Sequence, residues 1–187
     1  MRANLIRPFA RRYSQLARCV DRLCHHYAHL RPDASPKPSS DLPPERVIAV
    51  LTSTAIDESI LEIALAKLGL TALLLSVNNS PAAIAHLVKQ TTASHLIYGS
   101  KFRSTAEEVK RVLHGEGYDV DVLPEKRFPI WGKGGIEETV VVKFDPVLTP
   151  EEESRRSCVI LHSSGSVSGP GFPAVKPGKG REESTGR

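Results

Sequence analysis

The sequence predicts an α/β fold with a mainly parallel sheet flanked by helices, and three observations predict it. From Val47 onward, short apolar runs of strand length alternate with stretches of helical spacing. The links between them are short and carry cap and turn residues. The last apolar run, Cys158-Val159-Ile160-Leu161-His162, leads straight into Ser163-Ser164-Gly165-Ser166. A buried strand feeding a Ser/Gly turn is one way that proteins offer backbone N–H groups to phosphate. Alternation with short links argues for parallel strands, and right-handed crossovers keep successive strands in one sheet.

Ahead of that alternation, Leu16, Val20, Leu23, Cys24 and Tyr27 recur at helical spacing, with Ser14 as an N-cap candidate. Residues 15–30 therefore read as an amphipathic helix. Residues 32–44 hold five prolines and three serines and read as a linker.

Val47–Thr52 reads as the first strand. A helix over 56–68 follows, with Ile60, Ile63, Ala64 and Leu68 on one face and Gly69 ending it. Thr71–Val77 reads as the second strand. Ser80-Pro81 supplies an N-cap and a first-turn proline for a helix to about Thr91, with Ile84, Leu87 and Val88 inward. His95–Tyr98 reads as the third strand. Ser104 and Glu107 have capping-box spacing for a helix that stops at Gly115. Tyr118–Leu123 reads as the fourth strand. Residues 124–137 read as irregular, Thr139–Phe144 as β-rich, Thr149–Arg156 as a charged helical turn and Val159–His162 as the last strand. The expected organisation is a helix and linker over 1–45, an α/β unit over 46–166 and a disordered tail over 167–187.

At 187 residues the chain can bury one core, and 40% hydrophobic with 25% charged residues is ordinary globular composition. No apolar run reaches the roughly 18–20 residues that span a bilayer. The net charge of +4 sits at the ends: residues 1–31 carry seven arginines against Asp21, while the interior is mildly acidic. Clustered cations interleaved with aromatics, as nucleic-acid grooves need, are absent from that interior. Cys19, Cys24 and Cys158 form no CxxC pair and point to a reducing compartment. The Arg-rich, acid-free start is like a mitochondrial presequence. Because the apolar stripe continues to Tyr27, it reads instead as part of the domain, with a cytoplasmic location expected and a mitochondrial one the alternative.

Four groups compete as sites. His25 and His29 lie four apart beside His26 and Cys24, as helix metal ligands do, but no further ligands lie near in sequence, so they read as solvated helix histidines and no metal site is expected. Gly132-Lys133-Gly134-Gly135 lacks the spacing of a phosphate loop and reads as a turn. Asp57, Glu58 and Glu62 read as a solvated face near a helix N-terminus, where the dipole favours acids. The Ser163–Ser166 turn is the strongest of the candidates.

With those residues in view, the chain resembles the adenylate-forming (AMP-binding, AMP-dependent synthetase/ligase) superfamily, and within it fungal nonribosomal-peptide-synthetase-like adenylation domains. Tyr13–Tyr27, Val47–Asn79, His95–Phe102, Arg127–Gly132 and above all Cys158–Ser166 carry the likeness. It spans roughly residues 13–166. It implies an incomplete N-terminal subdomain in which Ser163, Ser164, Gly165 and Ser166 line the ATP β- and γ-phosphates, with Mg2+ as counter-ion. It implies a small carboxylic acid as substrate and a phosphopantetheinyl carrier as partner in full-length relatives. Activation there is attack of the carboxylate on the ATP α-phosphate, giving acyl-AMP and pyrophosphate.

After Ser166 the chain departs from the pattern, reading Val167-Ser168-Gly169-Pro170 where the family continues Thr-Gly-x-Pro-Lys. Fourteen of the 25 residues from Ser163 onward are Gly, Ser or Pro, and no catalytic residue is identifiable. The expectation is a truncated domain, inactive by itself. Val167-Ser168 is encodable by an intron-start consensus, which would explain the departure as read-through. The alternative class is a non-catalytic α/β binding or interaction module.

Overall fold

A computed structural model describes residues 6–31, 45–53, 55–128 and 142–162. Helix α1 (Ile6–Tyr27) ends in a 3-10 turn, Ala28–Leu30. Then follow β1 (Val47–Leu51), α2 (Ala55–Lys67), β2 (Thr71–Leu74), α3 (Pro81–Gln90) and β3 (His95–Tyr98). A 3-10 turn, Ser100–Phe102, leads into α4 (Arg103–Gly115), and β4 (Asp121–Pro124), α5 (Pro150–Glu153) and β5 (Val159–Leu161) complete the order.

The five strands form one all-parallel sheet in the order β4-β3-β1-β2-β5. Strand β1 is central and every residue of Val47–Leu51 is buried, as a strand covered on both faces requires. Ile48 and Val50 face the core shared with α1 and α2, while Val47, Ala49 and Leu51 face the core shared with α3 and α4. The three-layer α/β architecture expected from the sequence is therefore present. Helix α1 belongs to it: Cys19, Val20, Leu23, Cys24 and Tyr27 are buried, and Lys67 on α2 donates to Asp21 Oδ1 at 2.6 Å.

Several local expectations are corrected. Ser14 is not an N-cap, because α1 begins at Ile6 with Pro8 in its first turn, where a missing N–H costs nothing. On α2 the buried arc is Ile60, Leu61, Ala64, Leu65 and Leu68, and Ile63 is exposed; at 100° per residue, 63 sits well off the centre of that arc. Ser104 caps nothing, since the 3-10 turn runs directly into α4. Helix α4 ends at Gly115 as expected, with the left-handed Gly117 (φ +72°) just beyond it, and Gly69 (φ +72°) ends α2 as expected. Strand β2 stops at Leu74, three residues short of expectation, and β4 starts at Asp121, where pairing to the four-residue β3 begins. Residues 142–144 carry no strand. The caps at Ser80 and Thr149 stand, the latter a full capping box with Glu152. The linker over 32–44 and the Gly132–Gly135 turn lie outside the described residues.

Candidate functional site at the carboxyl edge of the sheet

Because all strands are parallel, the residues following β1, β2, β3, β4 and β5 meet at one edge. Strand β1 connects to β2 through α2 on one face, and β2 returns past β1 to β3 through α3 on the other. The carboxyl ends of β1 and β3 are thus a topological switch point, where open α/β sheets leave a crevice.

That crevice is lined by Ser53, Gly99, Ser100, Lys101, Phe102 and Arg127, is open to solvent and has a volume of about 100 Å³. Its floor is a polar network. Glu125, whose side chain is 2% exposed, accepts the Thr52 hydroxyl at 3.2 Å and Arg127 Nη2 at 2.6 Å, all on Oε2. Arg127 Nη1 also lies 3.3 Å from Asp57 on α2. The hydrogen bond to Glu125 holds the Arg127 guanidinium above its ordinary value against the opposing effect of burial. Gly99 fits here for lack of a side chain: a Cβ would stand 3.3 Å from Thr52 Oγ1 and 3.4 Å from Glu125 Oε2.

At the other end of the same edge, β5 delivers His162. Its Nε2 accepts the backbone N–H of Ser76 at 3.0 Å and lies 3.3 Å from Asn79 Nδ2. The end of β5 is thereby tied to the loop that opens α3. The next residue in sequence is Ser163. Ser163, Ser164, Gly165 and Ser166 themselves lie outside the described residues.

The other candidates resolve differently. His25 Nε2 bonds Val142 O at 3.0 Å and its ring meets Phe144 edge-on, and His29 Nδ1 bonds His26 O. Among the described residues no group of three metal-capable side chains comes together. The Asp57/Glu58/Glu62 face is not simply solvated. Asp57 pairs with Arg127, and burial raises the Glu58 and Glu62 carboxyls, with Glu62 and Glu125 adding to the rise at Glu58. Sequence reasoning missed Thr52, Glu125 and Arg127. The signal available was position: each lies within a few residues of the carboxyl end of an apolar run.

No protein-family model matches the sequence, and no curated protein matches it. Among solved structures the chain is similar to a fatty acyl CoA synthetase from Mycobacterium tuberculosis, at 13% identity and a TM-score of 0.56, over 82% of this chain and 27% of that one. It is also similar to the N-terminal domain of FACL13 from Mycobacterium tuberculosis (15% identity, TM-score 0.49, 60% of this chain and 26% of that one). A third is O-succinylbenzoate Coenzyme A synthetase (MenE) from Bacillus subtilis in complex with AMP (17%, 0.42, 62% and 24%). The last two scores are too low to carry weight. The chain spans about a quarter of the length of the solved structures it matches. The likeness is one of fold: a parallel five-stranded sheet flanked by helices, as in the N-terminal subdomain of adenylate-forming enzymes.

Proposed function

We propose that this chain is part of an adenylate-forming domain whose Ser163–Ser166 turn receives the β- and γ-phosphates of Mg-ATP. One observation carries the reading: β5 is a parallel edge strand, so the chain enters Ser163 from the carboxyl edge, the side on which such sheets bind ligands. Backbone N–H groups and three hydroxyls there suit triphosphate oxygens. In the full-length enzyme the remainder of the domain would supply the carboxylic acid pocket and the groups that stabilise charge on the α-phosphate. A fungal nonribosomal-peptide-synthetase-like setting, a phosphopantetheinyl carrier as acceptor and a cytoplasmic location belong to the same proposal. This chain, with no assigned catalytic residue, is proposed to bind without useful turnover. The proposed units remain 1–45, 46–166 and 167–187.

Calorimetric titration of Mg-ATP into the chain tests this. Saturable binding that weakens in Gly165→Ala supports the phosphate reading. Absence of binding favours a non-catalytic interaction module, for which Leu161, 74% exposed on the edge strand, is the supporting observation.

A further inference from the structure

Among the described residues β5 is an edge of the sheet, and its ladder to β2 fixes which of its peptide groups are used. Ala72 N–H donates to Cys158 C=O at 2.9 Å. In a parallel ladder the bonding residue alternates along each strand, so Cys158 and Ile160 turn their peptide groups toward β2. Val159 and Leu161 turn theirs away, leaving two N–H and two C=O groups on the outer side of β5. Ser157, just ahead, is already engaged: its N–H donates to Glu45 Oε1 at 3.0 Å and its C=O accepts the Thr71 hydroxyl at 2.6 Å. None of Val159–Leu161 carries a charge, and Leu161 is exposed.

We propose that the outer edge of β5 pairs with the same edge of a second copy of this chain, antiparallel about a two-fold axis at Ile160. In that register Val159 faces Leu161 of the second copy and Leu161 faces its Val159, each pair exchanging two N–H···O=C bonds. All the outward groups of both strands are then used, and Ile160 meets its own counterpart in the intervening position. Moving the axis to Val159 would set Leu161 against Ser157, whose N–H and C=O are taken. Charge chooses the direction of pairing. A parallel, in-register pair would bring Arg155 and Arg156 beside their own counterparts, whereas the antiparallel pair puts them at opposite ends of the seam. The far edge of the sheet selects a closed pair over a chain of copies, since β4 presents exposed Asp121 and Pro124. A seam three residues long falls short of the roughly 1,200 Å² that a stable complex buries, so the dimer is reversible and forms at high concentration. None of this depends on the phosphate reading of the Ser163–Ser166 turn.

Sedimentation of the chain from about 5 µM to about 500 µM, with amide hydrogen exchange at both ends of that range, tests the proposal. The average mass should climb toward twice that of the monomer and stop there. Exchange at the Val159 and Leu161 N–H groups should slow with concentration by roughly fivefold or more, while Ile160, bonded to β2, is protected throughout. Leu161→Pro removes an outward donor and leaves the β2 ladder intact, and Leu161→Lys sets charge on the seam. Each should weaken association roughly tenfold or more. Circular dichroism checks that both variants fold, and L161K carries the comparison if L161P does not. A chain that stays monomeric at every concentration overturns the proposal and leaves the edge to a strand of another kind. Mass that climbs past the dimer overturns the two-fold closure. A dimer whose Val159 and Leu161 amides exchange as fast as in the monomer, or that forms equally well in both variants, overturns the β5 seam.

Discussion

Asp21 and Lys67 join α1 to α2 at 2.6 Å, with side chains only 11% and 21% exposed. The Asp21 carboxylate also accepts the backbone N–H of Phe144 at 3.2 Å, so one acid ties the first helix both to the body and to the segment that leads back toward β5. Removing it strands a mostly buried ammonium and an amide. Asp21→Ala should cost about 2–3 kcal/mol in urea unfolding. The double variant Asp21→Leu with Lys67→Met should cost less than D21A alone, because no charge is left behind. Equal losses would mean that shape, not charge, holds the helices together.

The glycines separate backbone need from mere presence. Gly69 has φ +72°, and an added Cβ would stand 3.3 Å from Leu148 Cγ. Gly69→Ala should cost about 1–2 kcal/mol. Gly117, equally left-handed but with open space around it, should cost about 1 kcal/mol, and Gly115→Ala should be neutral or slightly stabilising. Thermal melts of the three single variants rank them.

Burial pushes the Cys24 thiol up to about 11 and raises Cys19 as well, while Cys158 is exposed. Reactivity follows the thiolate and its access. Under native conditions a thiol reagent at neutral pH should label Cys158 promptly, and Cys19 and Cys24 only at the rate at which the fold opens. Three equally fast thiols would contradict the packing of α1.

Glu62 lies half-buried on α2, and burial raises its carboxyl. An acid with a folded pKa above its unfolded one binds its proton more readily in the fold. Its contribution to stability is therefore greatest at acid pH and is lost as pH rises through the raised value. Glu62→Gln should gain a few tenths of a kcal/mol at neutral pH and nothing at about pH 3. The change also removes one source of the rise at Glu58. A loss of stability at neutral pH would reverse the sign.

The two edges of the sheet are guarded unequally. Strand β4 ends in Pro124 and begins in exposed Asp121, both of which discourage further pairing, while β5 presents Val159, Ile160 and exposed Leu161 with no charge among them. Leu161→Lys should reduce light scattering on concentration and leave the melting temperature unchanged within about 1 °C. Unchanged scattering would clear β5 as the sticky edge.

The strands were legible because parallel strands buried on both faces are continuous apolar runs, and Val47–Leu51 and His95–Tyr98 read as such directly. Helix α3 was legible through Ser80 and Pro81, whose cap chemistry is local. Helix α2 misled at Ile63 because Asp57, Glu58, Ser59, Glu62 and Lys67 are spread over several sides of it rather than gathered on one, so periodicity could not separate the sheet side from the outside. The 3-10 entry to α4 hid its start, since the expected cap at Ser104 competes with a turn set by the Gly99–Phe102 backbone bond. At the carboxyl edge, the end of β5 was readable from the chain. The Thr52–Glu125–Arg127 network was not, because it assembles residues 73 and 75 positions apart.

The most direct measurement is a nitrogen–proton correlation spectrum of the chain titrated with Mg-ATP, repeated with Gly165→Ala. Saturable shifts are expected at Ser76, Asn79 and His162 on the carboxyl edge, together with Ser163–Ser166, and their loss or marked weakening in G165A. No shifts at millimolar nucleotide, or shifts confined to the opposite edge of the sheet, would contradict it.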